Sequence, residues 1–562
     1  MAVATDEMSN EDRGLPVRRI RHRPLLAGVL AVCAMVLLPL VALAWIAASG
    51  TGDDWPHLAA NVLPTATTTT IALIFMVSVG TAVIGVAAAW LVVGFDFPLR
   101  QAFSWLLVLP LAVPPYLAAY AFGEFFLFTG PVQSFYRAAF GFQTPKDYWF
   151  PDLRSTPGAA FTLVCVLYPY VYLTSRAVFL MQGRNIADAA RTLGASSSRV
   201  FWTVLLPVAR PAIAAGIALA LMETLNDFGT VHYFAVDTFA TGIYRTWMGM
   251  GQPAVAAQLG ALLMVFVLAL ILVERRSRGA AKAHHTTNRY RSLPRIRLTG
   301  LRGVAALMFC IAPILLGFVL PGGMLAAWAA TSAASFTDFP SLARNSLLLA
   351  GGAGAAAVAM ALVLAYAQRM HPTPLVKGAV RLASLGYAIP GSVIAVGTLV
   401  PLTTFDKAFA AFMERSFGIS PGLLLTGSVF ALIYAYLVRF LAISTNTVEA
   451  SLQKVTPSME AAARTLGLGT VATLRRVHVP MVRGSLLSAA LLVFVDVMKE
   501  LPATLIIRPF NFDTLATRTF TLASDERLAD AAMPALAIVL VGLVPVVLLS
   551  RAITRSRPGE SA

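Results

Sequence analysis

The stretches ADAARTLGASSSRVFWTVLLP (187–207) and AAARTLGLGTVATLRRVHVP (461–480) follow one polar plan. Each passes from an Ala-rich run with one Arg, through Gly, to a Pro thirteen residues on: Gly194 to Pro207 and Gly467 to Pro480. They interrupt a chain that is otherwise lipid-soluble. Of its 562 residues 58% are hydrophobic and 12% charged, which is too little polar surface to coat a soluble core of that size. The sequence therefore reads as an all-α polytopic membrane protein.

Apolar runs reaching the roughly 20 residues needed to cross a hydrocarbon core fall near 25–48, 70–93, 102–125, 157–181, 211–232 and 254–273, and again near 303–329, 346–368, 378–402, 421–444, 484–504 and 533–551. That predicts 12 transmembrane helices, six per half. The first run lacks a small-residue cleavage site and reads as a retained span, with the chain beginning near Met1. Cys33, Cys165 and Cys310 lie within apolar runs at no metal-ligand spacing, so they act as small hydrophobes.

The net charge of +16 is concentrated at Arg18, Arg19, Arg21 and Arg23 and in ERRSRGAAKAHHTTNRYRSLPRIR (274–297). This is the positive-inside pattern of a membrane protein rather than a nucleic-acid footprint. It places both termini, the linker and both quoted segments in the cytoplasm, and the loop 49–65 outside.

The two halves repeat. LAVPP (111–115) matches YAIPG (387–391), Phe135–Gly141 matches Phe412–Gly418, and DTFAT (237–241) matches DTLAT (513–517), at offsets of 273 to 277 residues. An even number of spans per half gives both the same orientation and a pseudo-two-fold axis along the membrane normal.

In the first polar segment Asn185 is expected to cap a short helix with Asp188 in its first turn, Gly194 to break it, and Ser196 or Ser197 to start a second short helix ending before Pro207 and Pro211. In the second, Thr456, Pro457, Gly467 and Thr470 take the corresponding roles. A generic interfacial helix accounts for one such segment. Two copies at one Gly-to-Pro spacing favour docking into another protein's groove.

On these residues the chain resembles the membrane subunits of binding-protein-dependent ABC importers, whose signature is E-A-A-x3-G-x9-I-x-L-P. Asp188, Ala189, Ala190, Gly194, Val204, Leu206 and Pro207 follow it in the first copy, with Asp in place of Glu, Val in place of Ile and Arg191 in the spacer. Glu460, Ala461, Ala462, Arg464, Gly467 and Pro480 follow it in the second, with the acid displaced by one residue. The resemblance implies two tandem six-helix type I permease domains, 25–273 and 303–551. Residues 1–24, 274–302 and 552–562 then form the basic N-terminus, linker and tail. It also implies coupling helices seated on two copies of a cytoplasmic ABC ATPase. No G-x4-G-K-[ST] phosphate loop occurs in the chain, so ATP and Mg belong to that partner, and no cofactor is expected in this chain. The setting implied is the bacterial cytoplasmic (inner) membrane, with an extracytoplasmic binding protein and no nucleic acid.

Sixteen residues after each Pro stands an acid, Glu223 or Asp496, and four further on another, Asp227 or Glu500. Spacing of four places each pair on one helix face, with Glu223 about 18 Å along its span at ~1.5 Å per residue. Carboxylates at that depth either line or gate a path for a cation or, if the span ends near 222, begin an outer loop or pair with Lys499, Arg245 or Arg508. METLNDFGTVHYFAV (222–236) and DVMKELPATLIIRPFNFDTLATRTFTLASDERL (496–528) resemble the fused permeases of ferric iron importers, which implies Fe(III) as cargo. Thiamine permeases are the nearest alternative, and a secondary transporter without an ATPase is the rival from another class. Tyr168, Tyr170, Tyr434 and Tyr436 read as packing or interfacial aromatics, with polar lining of the path as the alternative, and His232 as structural. The segments from Phe135 and Phe412 read as short outer amphipathic pieces that either receive a binding protein or anchor in lipid.

Overall fold

The computed structural model describes residues 23–49, 55–192, 196–278, 295–332 and 338–555. Among them, 11 helices are long and apolar enough to cross a membrane, or up to 12 if one sharply bent pair is a single span. The bent pair is the expected 102–125 helix. It divides into Arg100–Leu106, a tight turn Leu109–Ala112, and Pro115–Phe125, with a 91° bend. Pro110, Pro114 and Pro115 supply no N–H, and a proline drives the residue before it out of the helical region; Val113 is extended at φ −96°, ψ 115°. In the second half Pro374–Ala383, the turn Leu385–Ala388 and Gly391–Phe417 follow the same course around Pro390.

The prolines of the quoted segments do not end helices as expected. Leu206–Asn226 and Val479–Met498 run through Pro207, Pro211 and Pro480. Each is preceded by a widened π-turn, Phe201–Leu205 or Leu474–His478, and Leu315–Val319 stands in the same relation to Pro321. Widening the turn relieves the clash between the proline ring and the carbonyl four residues back. Nor is Asn185 a cap, because helix Thr156–Thr192 passes straight through it. The second copy does break there: Pro457 starts a new helix, Pro457–Thr465, after Val429–Leu452 ends. The next helix is capped at Gly469, with Thr470 as its first residue. Phe412–Phe417 is the last part of Gly391–Phe417 rather than a separate piece, whereas Pro131–Phe140 does stand alone.

The halves are interlocked. Helix Arg23–Ser49 packs on Gly391–Phe417, Pro374–Ala383 and Phe339–Met370, and Leu320–Thr331 packs on Pro115–Phe125. Prolines fix these crossings. Pro39 has no N–H for the Met35 carbonyl, and the Tyr434 hydroxyl donates to that carbonyl at 2.7 Å from the other half. Pro169 likewise frees the carbonyl of Cys165. Gly317 approaches it so closely that a Cβ would stand 2.2 Å from the oxygen. On the linker side, Phe95–Asp96 and Ile296–Arg297 form a two-residue parallel ladder, extended by Leu298 N–H donating to the Asp96 carbonyl at 2.9 Å.

Tyr434→Phe removes the donor to a carbonyl that lipid cannot satisfy. It is expected to cost about 1–2 kcal/mol, read as a lower thermal midpoint in detergent with helix content unchanged.

Candidate functional site

The two fifth spans end sooner than 232 and 504. Leu206–Asn226 is followed by a buried short helix Gly229–Tyr233, and Val479–Met498 by Pro502–Ile507. Asp227 and Glu500 therefore do not share a helix face with Glu223 and Asp496, because each lies in the break. Nor do they begin an exposed loop, being only 9% and 4% exposed.

Their carboxylates close the breaks. Asp227 Oδ1 accepts from the N–H groups of Thr230 (3.0 Å) and Val231 (3.2 Å), and Oδ2 from the Thr230 hydroxyl at 2.9 Å. Glu500 Oε1 accepts from Ala503 N–H at 2.9 Å and Arg439 Nη1 at 3.0 Å. Its Oε2 accepts from Thr504 N–H at 3.0 Å and the Thr504 hydroxyl at 2.5 Å. An acid at a helix N-terminus satisfies orphan donors and meets the positive end of the dipole. Arg439 is 6% exposed, so its pair with Glu500 is a buried one.

Glu223 and Asp496 are placed differently. Glu223 Oε1 accepts from the Tyr387 hydroxyl at 3.2 Å, and Asp496 Oδ1 lies 2.9 Å from Lys499 Nζ. Between them Asn226 Oδ1 accepts from Gly391 N–H at 2.7 Å. A residue of the first half thus caps helix Gly391–Phe417 of the second. Gly391 is required there, since a Cβ would sit 2.7 Å from both Arg439 Nη1 and Glu500 Oε1. Around these groups lies a cavity of about 80 Å³ at the seam of the halves, with Tyr116, Tyr170, Glu223, Asp496, Lys499 and Glu500 in its wall. Among the described residues, no three His, Cys, Asp or Glu side chains gather as a ready metal site.

Of the tyrosines weighed from sequence, Tyr170 lines the cavity, Tyr436 bonds the Thr504 hydroxyl at 2.7 Å, and Tyr434 holds the interhelix crossing. His232 packs among Phe228, Tyr244 and Phe520 and serves structure. Residue spacing alone marks neither Arg439 nor Tyr387 nor Asn226. A lone Arg within the apolar run 421–444 was the available signal, since a buried cation there needs a partner.

The polar segments lie away from the cavity. In the second, Glu460 is in the first turn of Pro457–Thr465 and faces inward, 2.5 Å from Arg369 Nε and 3.2 Å from His478 Nε2. Arg369 also donates to the carbonyls of Leu452 and, at 2.7 Å, Val455. The helix is thereby bolted to Phe339–Met370, while Leu466 and Val471, either side of Gly467, are 80% and 74% exposed. Gly467 is left-handed at φ +77°. In the first copy Asp188, Ala189, Ala190 and Arg191 fall on helical backbone, and Gly194 lies outside the described residues.

Residues 81–276 match the family model of the binding-protein-dependent transport system inner membrane component. Over those residues the chain carries a permease domain of the binding-protein-dependent ABC-importer type. This permease is 26% identical over 489 residues to the Fe(3+)-transport system permease protein FbpB 2 of Haemophilus influenzae, covering 86% of this chain and 88% of that one. It is 23% identical over 450 residues to the ferric transport system permease protein FbpB of Actinobacillus pleuropneumoniae, 75% of this chain and 60% of that one. It is also 27% identical over 257 residues to the sulfate transport system permease protein CysT of Escherichia coli, 44% of this chain and 88% of that one. Like its family it is a multi-pass inner membrane protein and a transport subunit rather than an ATPase.

Glu500→Ala would leave Arg439 buried without its counter-charge and strip the cap from Pro502–Ile507. The permease is expected to lose about 3–5 kcal/mol, seen as a large drop in thermal midpoint, whereas Glu223→Gln, with one neutral partner, should leave the midpoint nearly unchanged.

Proposed function

We propose that this permease carries ferric iron, delivered by an extracytoplasmic binding protein, into the cytoplasm by alternating access. The observation that carries the reading is the cavity at the seam, where two carboxylates from each half converge. A hard trivalent cation prefers oxygen ligands. The two relatives named for Fe(3+) or ferric transport match most of this chain, which supports the same cargo. Sulfate is disfavoured: both cations in the wall, Arg439 and Lys499, are paired with acids, leaving no free positive charge for an oxyanion.

Power enters from outside the chain. Residues 25–273 and 303–551 act as two six-span domains, each presenting one coupling segment to one of two copies of a cytoplasmic ABC ATPase that holds ATP and Mg. Both termini and the basic linker 274–302 face the cytoplasm with these segments. The exposed apolar residues Leu466 and Val471 and the inward-bolted Glu460 support a helix that is anchored above and free to dock below.

Uptake of radiolabelled ferric iron by membrane vesicles carrying the full transporter tests both parts. Joint substitution Glu223→Gln and Asp496→Asn is expected to lower uptake by about tenfold or more, the scale of a 1.4 kcal/mol loss. Full uptake would remove iron from the path. A branched residue at Gly467, as in Gly467→Val, strains the left-handed turn by roughly 1–2 kcal/mol and tilts the docking helix. ATP-driven uptake is expected to fall while the amount of inserted protein stays constant. Undiminished uptake in ATP-depleted vesicles would point instead to a secondary transporter.

A further inference from the structure

Three charged groups in the cavity wall have no structural duty that consumes them. Arg439 and Glu500 neutralise each other, and Asp227 is spent on its short helix. What remains is Glu223, Asp496 and Lys499. Lys499 Nζ stands 2.9 Å from Asp496 Oδ1, with Glu223 and Tyr170 as its further electrostatic neighbours. We infer that Lys499 is a tethered stand-in for the cargo: its ammonium fills the space between Glu223 and Asp496 while the seam is shut, and must withdraw before a multivalent cation is held there. This deepens the reading of the cavity as a cation path and rests on it.

Four features favour that role. Lys499 directly follows the last residue of Val479–Met498, where the negative end of the helix dipole favours a cation. Its flexible four-carbon stem lets the charge swing without moving the backbone. The residue at the matching place in the first half is Asn226, neutral and occupied by the Gly391 N–H, so one ammonium serves both acids. Finally, Tyr116 is 4% exposed, lines the same cavity, and its hydroxyl has no hydrogen-bond partner among the described residues. It is an oxygen donor that the shut state leaves unused. Phenolic and carboxylate oxygens together suit a hard trivalent ion. The lack of a ready three-ligand cluster among the described residues fits a site that assembles only after the ammonium leaves.

Terbium(III), a hard trivalent ion whose emission is sensitised by nearby tyrosines, reads the site on the full chain in lipid nanodiscs without ATPase or binding protein. Wild type is expected to bind weakly, and Lys499→Gln about tenfold more tightly, since an adjacent positive charge has been removed. Lys499→Arg should resemble wild type. Adding Glu223→Gln and Asp496→Asn to Lys499→Gln should abolish the gain. If Lys499→Gln is not monodisperse, Lys499→Met keeps the stem and removes the charge. A neutral variant that binds no more tightly than wild type, or a gain that survives loss of both acids, overturns the stand-in. A tightened site in a chain whose vesicles import no ferric iron would keep the stand-in and reject the iron assignment.

Discussion

A helix broken inside a bilayer must find partners for the backbone groups it frees, because lipid offers none. That requirement organises the centre of this protein. Asp227 closes the start of Gly229–Tyr233, Glu500 that of Pro502–Ile507, and Asn226 the start of Gly391–Phe417 in the opposite half. The breaks bring polar chemistry to the seam, and one of the repairs, Asn226 on Gly391, also ties the two halves together. Arg439 then balances the more deeply buried of the two capping acids.

The same constraint divides the acidic quartet. Asp227 and Glu500 are committed to backbone and neighbouring donors, with little left to offer a solute. Glu223 and Asp496 each hold one contact, to a phenol and an ammonium, both of which side-chain rotation can release. An importer needs binding at its centre that is favourable yet reversible, and exchangeable partners of this kind meet that need better than a rigid cage.

Much of this was legible in the sequence. Apolar runs of bilayer length marked the spans, and the paired DTFAT and DTLAT segments do adopt one structure: Thr238 and Thr514 each form a capping box with Thr241 and Thr517. Spacing points to the acids but not to their geometry. Helical spacing assumes an unbroken helix, and Pro502 and Gly229 restart the chain in a new direction just past Glu500 and Asp227. Prolines misled in both senses. Pro207 and Pro480 read as terminators, yet a widened turn carries the helix through them, whereas Pro110, Pro114 and Pro115, set close together, bend what read as one span. Interlocking of the halves was invisible as well, because Tyr434 meeting the Met35 carbonyl depends on a proline hundreds of residues away.

The short ladder of Phe95–Asp96 with Ile296–Arg297 has a mechanical consequence. With Leu298 bonded to the Asp96 carbonyl, the end of the connector moves as part of the first half's loop. The helix that follows, Gly300–Ile314, packs on Leu63–Gly94 and Arg100–Leu106 of the first half, so the second half's leading helix is carried by the first. Arg23–Ser49 is likewise seated on helices of the second half, so each half lends its leading helix to the other and pulling them apart would strip both.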